Sequence, residues 1–528
     1  MKVLLVNPTL RGEIFTQHLG LTYVASYVNA RTPHRAAILD FAFRRRQWQQ
    51  HLKARLEREQ PDLVGITVTA PNISSVKKII GEVRSLHPRL PILLGGTLVT
   101  VLPEEAARLG PDMLCVGEGE MTLADLLDDM AAGRDGSAVP GIRLVSGGRP
   151  GPGGPRPVNQ ALDDLPFLDW DLWEDIDVHL KVYGMLSFYG TRGCPYDCSY
   201  CSAHAIREKL PGHFRLCGPS RYVDHLQYQW NRYRGRGLKV AWLWDQVFTY
   251  SGEWLGQFAE EYRRRGMDRL LPYSIYARAD ELDEERVRLL KESGCVVVRI
   301  GFESGDERIL NDVYRKETTL ESYYRAAELL RKAGISLTGY YILGGPGETL
   351  ETVKRTFELA RRVDADTPTF YVYKPLPATR ALETLKALGG SVVDLWPKKV
   401  VDIRFGGMVY TPHLTPRQVE RLQTRFILYF IPRLVLKQMR IWKLKYFTRL
   451  ISYWRLNRRY GLGLVDILRN YTYMTGIEMQ MDRRFRRARG GGGGAAGRPG
   501  PPPRRGGGPP RRPPRPRPAI LRSWWESR

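Results

Sequence analysis

The 528-residue sequence predicts an α/β protein: a doubly wound, Rossmann-like parallel sheet, then a partial (β/α) barrel, then a helical C-terminal domain. Three observations predict it. Short apolar runs alternate with amphipathic stretches through the first 130 residues, a Gly/Pro-rich break follows at 147–160, and the alternation then resumes. Continuous apolar strands separated by helices mark a parallel sheet buried on both faces.

In the first series, residues 3–6, 36–39, 63–68, 92–94 and 113–116 read as strands. Residues 19–30, 48–59, 73–86, 104–109 and 122–130 read as the helices between them, because their apolar residues recur at helical spacing. Residues 147–160 hold no period and read as a linker or an exposed hairpin. Residues 188–191 end a strand, and residues 240–244, 273–277, 296–302, 337–343 and 369–372 form the second series, with helical runs such as 284–292 and 320–332 between. The domains predicted are 1–146, a linker at 147–180, the barrel at 181–390, a basic, aromatic helical domain at 391–481 and a tail at 482–528. The tail is almost wholly Gly, Pro, Arg and Ala at 490–518 and cannot pack a core.

Charge divides the chain in the same way. Of the formal net charge of +25, residues 482–528 carry +12 (14 Arg against two acidic residues) and residues 413–481 carry +10 (13 Lys and Arg against three), leaving +3 for residues 1–412. The front is thus a near-neutral, enzyme-like body, and nucleic acid is disfavoured as a partner. The basic segment, with Phe426, Tyr429, Phe430, Trp442, Tyr446, Phe447, Tyr453 and Trp454, reads as helices packed on one side and solvated on the other. Peripheral contact with an anionic membrane stays open. Six cysteines, three of them clustered, are no disulfide framework and point to a reducing compartment. The apolar run at 1–7 is too short for a signal peptide, and the one at 426–436 is broken by Pro432 and Arg433, so the expected location is the cytoplasm.

The chemistry centres on Cys194-Pro195-Tyr196-Asp197-Cys198-Ser199-Tyr200-Cys201. Three thiolates at this spacing can hold all but one iron of a [4Fe-4S] cluster, leaving the last iron open to a small molecule. With His204 the same set can instead complete a Cys3His zinc site. Pro195 and Asp197 disfavour a helix, which places the motif on a loop at a strand's carboxyl end, where α/β folds put ligands.

Cys194-x3-Cys198-x2-Cys201, with Tyr200 before the last cysteine, resembles the signature of the radical S-adenosylmethionine (SAM) superfamily. The resemblance implies that the three thiolates hold the cluster, that SAM chelates the open iron, and that an electron donor of flavodoxin or ferredoxin type reduces the cluster. SAM is then cleaved to a 5'-deoxyadenosyl radical, so no catalytic side chain is singled out. Further segments resemble that family's SAM-contacting turns: 242–249 with Asp245, although Gln246 stands where a second Asp is usual, 299–305 with Gly301, Glu303 and Ser304, and 341–349 with Gly344 and Gly345. Together with Tyr200 these are the expected SAM-binding residues.

The front domain resembles the cobalamin-binding domain of one branch of that superfamily. The segments that carry this resemblance end strands and hold Asn7, Thr67, Thr69, Gly95, Gly96, Thr97, Gly117, Glu118 and Gly119, the expected cobalamin-binding residues. The Asp-x-His-x-x-Gly cobalt-ligating motif is absent, and His179 outside the domain reads as structural, so the cobalt's lower face has no assigned ligand. The resemblance implies methylcobalamin between the two domains with its upper face towards the cysteines, and methylation of an unactivated carbon or phosphorus centre of a small-molecule metabolite. The alternatives are a cyclase or oxidative rearrangement enzyme like the anaerobic magnesium-porphyrin cyclase, a tRNA methylthiotransferase-like enzyme, and a zinc-stabilised nucleic-acid-binding protein. The substrate and the oligomeric state do not follow from the sequence.

Overall fold

The computed structural model describes residues 1–10, 18–392 and 409–439, with side chains as far as Arg433. The expected tail at 482–528 and most of the basic aromatic domain, including Trp442, Tyr446, Phe447, Tyr453 and Trp454, lie outside the described residues.

Strands β1 (Lys2–Asn7), β2 (Arg35–Asp40), β3 (Leu63–Thr67), β4 (Ile92–Gly95) and β5 (Met113–Cys115) run parallel in the order β2-β1-β3-β4-β5. Every residue of β3 is buried, as a strand covered on both faces requires. Val64, Ile66 and Leu94 join Leu52, Val76, Ile79 and Val83 of the flanking helices in one core. The chain reverses its direction of winding between β1 and β3, and a crevice opens there at the carboxyl ends of the strands. β6 (Ile142–Ser146) and β7 (Arg149–Pro150) add an antiparallel hairpin to the same sheet, so the first unit runs slightly past residue 146.

From Leu165 onward the segment expected as a linker is packed, whereas residues 152–155 are exposed. Leu168 and Trp170 are fully buried, and Trp173 Nε1 donates to Thr22 Oγ1 at 2.9 Å on the helix Leu19–Arg31. The Leu168 amide donates to His225 Nε2 at 3.1 Å. Isolated large apolar residues among Pro and Asp carry no period, which is why the sequence pattern reads as a linker.

The second unit contains β8 (Met185–Phe188), β9 (Thr191–Arg192), β10 (Arg215–Leu216), β11 (Val240–Leu243), β12 (Tyr273–Ala277), β13 (Cys295–Glu303), β14 (Ser336–Leu343) and β15 (Thr367–Val372). Six of these form the parallel sheet β15-β14-β13-β12-β11-β8, the expected partial barrel. β9 and β10 make a separate antiparallel pair above it. Beyond, β16 (Ser391–Val392) pairs with β17 (Val409–Tyr410), and the helix Pro416–Met439 carries Pro432 inside it. That helix lies on the barrel's edge: Gln423 Nε2 donates to the Phe370 carbonyl at 2.7 Å, and Phe426 meets Phe370 at 5.2 Å and Phe357 at 4.9 Å. No helix among the described residues is long and apolar enough to cross a membrane.

Candidate functional site

A cleft of about 370 Å³ lies where the carboxyl edge of the first sheet faces the barrel. Thr67, Thr69, Gly95, Gly96, Thr97, Gly117, Glu118 and Gly119 all line it from the first unit, and Tyr189, Arg192, Gly193, Trp244 and Gln246 line it from the second. Asn7 does not reach it, because its Nδ2 donates to Asp40 Oδ1 at 2.8 Å along the β1–β2 edge. Gly96 has φ of 106°, and a Cβ there would lie 2.7 Å from the Val68 carbonyl oxygen. Only glycine lets the turn after β4 fold this closely over the end of β3.

His18 also lines the cleft, at the start of the helix Leu19–Arg31. Its Nδ1 accepts the Leu21 amide at 3.1 Å, so the neutral ring carries its proton on Nε2, 3.3 Å from Thr67 Oγ1. Burial lowers its pKa to about 4, which keeps the ring neutral. It therefore offers the cleft an N–H and no lone pair. Apolar walls from Leu5, Leu21 and Leu123 with the hydroxyls of Thr67, Thr69 and Thr97 suit a large ring rimmed by amides.

Glu118 has a second task. Arg215 forms a two-pronged pair with its carboxylate, and Arg192 Nη1 reaches Glu118 Oε1 at 3.1 Å while its other nitrogen pairs with Glu120. β9 and β10 supply these arginines, so the pairs tie the barrel to the first sheet beside the cleft. Burial alone would raise the Glu118 pKa, but the Arg215 hydrogen bond and the Arg192 charge bring it down to about 2.

The cysteine loop follows β9, and Cys194, Cys198 and Cys201 are each half-buried. Arg207 of the helix Ser202–Lys209 staples the loop, with Nη1 donating to the carbonyls of Cys194 at 2.7 Å and Tyr196 at 3.1 Å while its guanidinium pairs with Asp197. Ser199 Oγ donates to the Val313 carbonyl at 2.6 Å. Burial pushes the Cys194 thiol up to about 12 and the Cys201 thiol up to about 11, so a metal bound there would have to displace their protons.

His204 is not a fourth ligand. Its Nδ1 bonds the Cys198 carbonyl at 3.1 Å and its Nε2 accepts the Arg380 amide at 3.4 Å, which occupies both ring nitrogens. Nor does any set of three or more His, Cys, Asp or Glu side chains among the described residues converge on one ion. Three soft thiols spread over a loop, with no common centre, fit the separate irons of a cluster and not a single zinc.

The expected SAM residues divide. Tyr200, Gly301 and Glu303 stand together beside the cysteine loop: the Tyr200 hydroxyl donates to Glu303 Oε1 at 3.0 Å, and Lys316 Nζ lies 3.0 Å from the same oxygen while also bonding the Gly301 carbonyl. A register shift between Gly301 and Glu303, with Glu303 at φ of 59°, re-aims that carboxylate at the strand's end. Gly344 and Gly345 form the adjoining turn, where Glu348 Oε2 accepts their amides at 2.6 and 2.9 Å. A Cβ on Gly345 would collide with the Tyr314 hydroxyl.

Asp245 and Ser304 depart from the expectation. Asp245 is fully buried, accepting the Gly190 amide at 2.7 Å and the Tyr222 hydroxyl at 2.8 Å, so it braces the turn ahead of the cysteine loop. Ser304 is fully buried too, and its Oγ accepts the Asp306 amide at 3.2 Å. Sequence reasoning missed Lys316 and Arg278, whose Nη1 lies 3.8 Å from Cys198 Sγ. Both come from barrel segments far along the chain and carry no local pattern.

The family model of the Radical SAM superfamily matches residues 188–360, and that of the B12 binding domain matches residues 13–127. An uncharacterized methyltransferase of Pyrococcus horikoshii is 26% identical over 452 residues, covering 83% of this chain and 95% of that protein. The anaerobic magnesium-protoporphyrin IX monomethyl ester cyclase of Cereibacter sphaeroides is 26% identical over 352 residues, 64% of this chain, which thereby spans 55% of the cyclase. Among solved structures, the radical SAM methyltransferase TsrM from Kitasatospora setae, with cobalamin and a [4Fe-4S] cluster bound, superposes with a TM-score of 0.62 at 23% identity over 80% of this chain and 81% of that one. The cobalamin-dependent radical SAM enzyme OxsB superposes with a TM-score of 0.68 at 17% identity over 93% and 80%. These two likenesses are likenesses of fold.

Proposed function

As a radical SAM enzyme that carries a B12-binding domain in the same chain, this protein, we propose, methylates an unactivated carbon or phosphorus centre of a small molecule. The observation that carries the reading is the shared cleft: eight of the residues expected around cobalamin line it opposite Gly193, the residue next to Cys194. When bound, the cluster and SAM supply a hydrogen-abstracting radical and cobalamin supplies a methyl donor.

The chain's own residues prepare the place. Cys194, Cys198 and Cys201 would hold the irons of the cluster through their sulfurs. Tyr200 and Lys316 fix the Glu303 carboxylate and stop it from swinging free, and the Gly344–Gly345 turn presents backbone close to them. Thr67, Thr69 and Thr97 offer hydroxyls to the rim of a bound ring, while Leu5, Leu21 and Trp244 exclude water from its faces. Arg192 and Arg215 hold the two walls at a set separation. A reductant of flavodoxin or ferredoxin type and a cytoplasmic setting complete the proposal.

The test is anaerobic reconstitution with iron, sulfide and cobalamin, followed by turnover with methyl-deuterated SAM in an extract of the source cells. Deuterated methyl in a product supports methylation. 5'-Deoxyadenosine without labelled product moves the reading to cyclisation, which the cyclase relative favours. Stoichiometric zinc in place of both cofactors overturns the proposal.

A further inference from the structure

Arg278 follows the last residue of β12 and lies against the cysteine loop, with 8% of its side chain exposed. Contacts on three sides fix the plane of its guanidinium. Nε lies 3.2 Å from Asp280 Oδ1, Nη2 donates to Asp280 Oδ2 at 2.8 Å and to the Lys316 carbonyl at 2.6 Å, and the Tyr196 ring covers one face with its centroid 3.9 Å away. Tyr196 is itself anchored through its hydroxyl, which pairs with Glu281. The remaining nitrogen, Nη1, has one partner among the described residues, Cys198 Sγ at 3.8 Å.

That arrangement is unfavourable while the sulfur is a neutral thiol. A buried cation needs anionic or well-paired surroundings, Asp280 is 28% exposed and shares its charge with water, and a thiol sulfur is a weak acceptor. A thiolate is a strong one, because donation between opposite charges gives a shorter and stronger bond. The guanidinium therefore suits a sulfur that carries negative charge, as a cluster ligand does.

The other cations at the loop are engaged elsewhere. Arg207 donates to the carbonyls of Cys194 and Tyr196 and pairs with Asp197, and Lys316 Nζ holds Glu303 and the Gly301 carbonyl. The Ala203 amide donates to Cys201 Sγ at 3.5 Å, but a peptide N–H carries no net charge and any residue there except proline would supply it.

We propose that Arg278 sets the reduction potential of the cluster through Cys198 and makes the cluster easier to reduce. Reduction adds one negative charge, and a fixed cation with an N–H on a ligand sulfur stabilises the reduced state more than the oxidised one. Arg278 is thus a positioning residue that acts through Cys198. The proposal rests on a cluster held by the three cysteines and is independent of the reaction that follows.

The experiment uses the full-length protein reconstituted anaerobically with iron and sulfide, with iron content measured on every sample. In a redox titration followed by EPR, Arg278→Gln, which loses the charge, should make the reduction equilibrium about tenfold less favourable than in the parent, about 59 mV more negative for one electron. Arg278→Lys, which keeps the charge, should fall between the two. Arg288→Gln, at a half-exposed arginine of the helix Glu284–Ser293, should leave the parent value unchanged. Should the Gln variant lose its iron, the parent decides: with isotopically labelled guanidinium nitrogens, its reduced cluster should show a nitrogen coupling by pulsed EPR. A fully loaded Arg278→Gln protein with the parent's potential or a higher one, or a reduced parent without that coupling, would overturn the proposal alone. A parent that takes up zinc in place of iron would overturn it together with the cluster reading.

Discussion

Asp245 and Gln246 are neighbours in the chain with opposite surroundings: the aspartate is sealed between Gly190, Thr191 and Tyr222, while the glutamine faces the cleft. The residue that matched a ligand-binding pattern became framework, and the one that broke the pattern reached the site. Strand alternation explains this, since successive side chains leave a strand end in opposite directions. Glu348 shows what such framework roles cost. Burial lifts its pKa to about 7 from 4.5, and the nearby Asp306 charge acts in the same sense, against the two backbone amides that its Oε2 accepts. Its other oxygen and the Tyr314 hydroxyl are buried with no hydrogen-bond partner among the described residues. The native state thus holds this proton more tightly than the unfolded chain, so the contribution is full below about pH 4.5 and is lost as pH rises through about 7. Glu348→Gln should flatten that fall: urea melts at pH 5 and pH 8 should differ by about 3 kcal/mol less than in the parent protein.

Strands β9 and β10 hold two residues each, yet they position Arg192 and Arg215 on the first sheet's Glu118 and Glu120. Arg215 exposes 5% of its side chain and Glu118 12%, so removing Arg215 leaves a nearly buried carboxylate with Arg192 as its one charged partner in the clamp. Arg215→Ala should destabilise the chain by about 3 kcal/mol in urea denaturation. Because the Glu118 pKa is depressed to about 2, the clamp's contribution stands above pH 4.5 and disappears as pH falls towards 2, and the Arg215→Ala deficit should shrink in step. None of this was legible in the sequence. Elements this short carry no period, and Gly117-Glu118-Gly119 after a strand looks like a ligand turn because its arginines lie 74 and 97 positions away.

At the scale of the molecule, both parallel sheets were legible because strands buried on two faces are continuous apolar runs with helices between. Most of the cleft was legible for a related reason: glycines and threonines that end consecutive parallel strands must collect at one edge, and only Asn7, held by Asp40, stayed away. The packed segment around Trp170 and Trp173 was not, since its contacts to Thr22 and His225 are long-range. With walls from both units, the cleft couples them. Adding hydroxocobalamin to the metal-free chain should raise a single unfolding transition, by about 2.7 kcal/mol at a hundredfold excess over Kd, and not split it in two. The cysteine loop is also closed from far along the chain: the Arg380 amide reaches His204 across 176 positions, and the Ala381 amide donates to the Ser199 carbonyl at 3.0 Å. A ribosome that has just delivered the three cysteines has therefore not yet delivered the helix that locks them. The loop thus reaches its final packing only once residue 380 has emerged and docked, whatever the order in which the rest of the barrel forms.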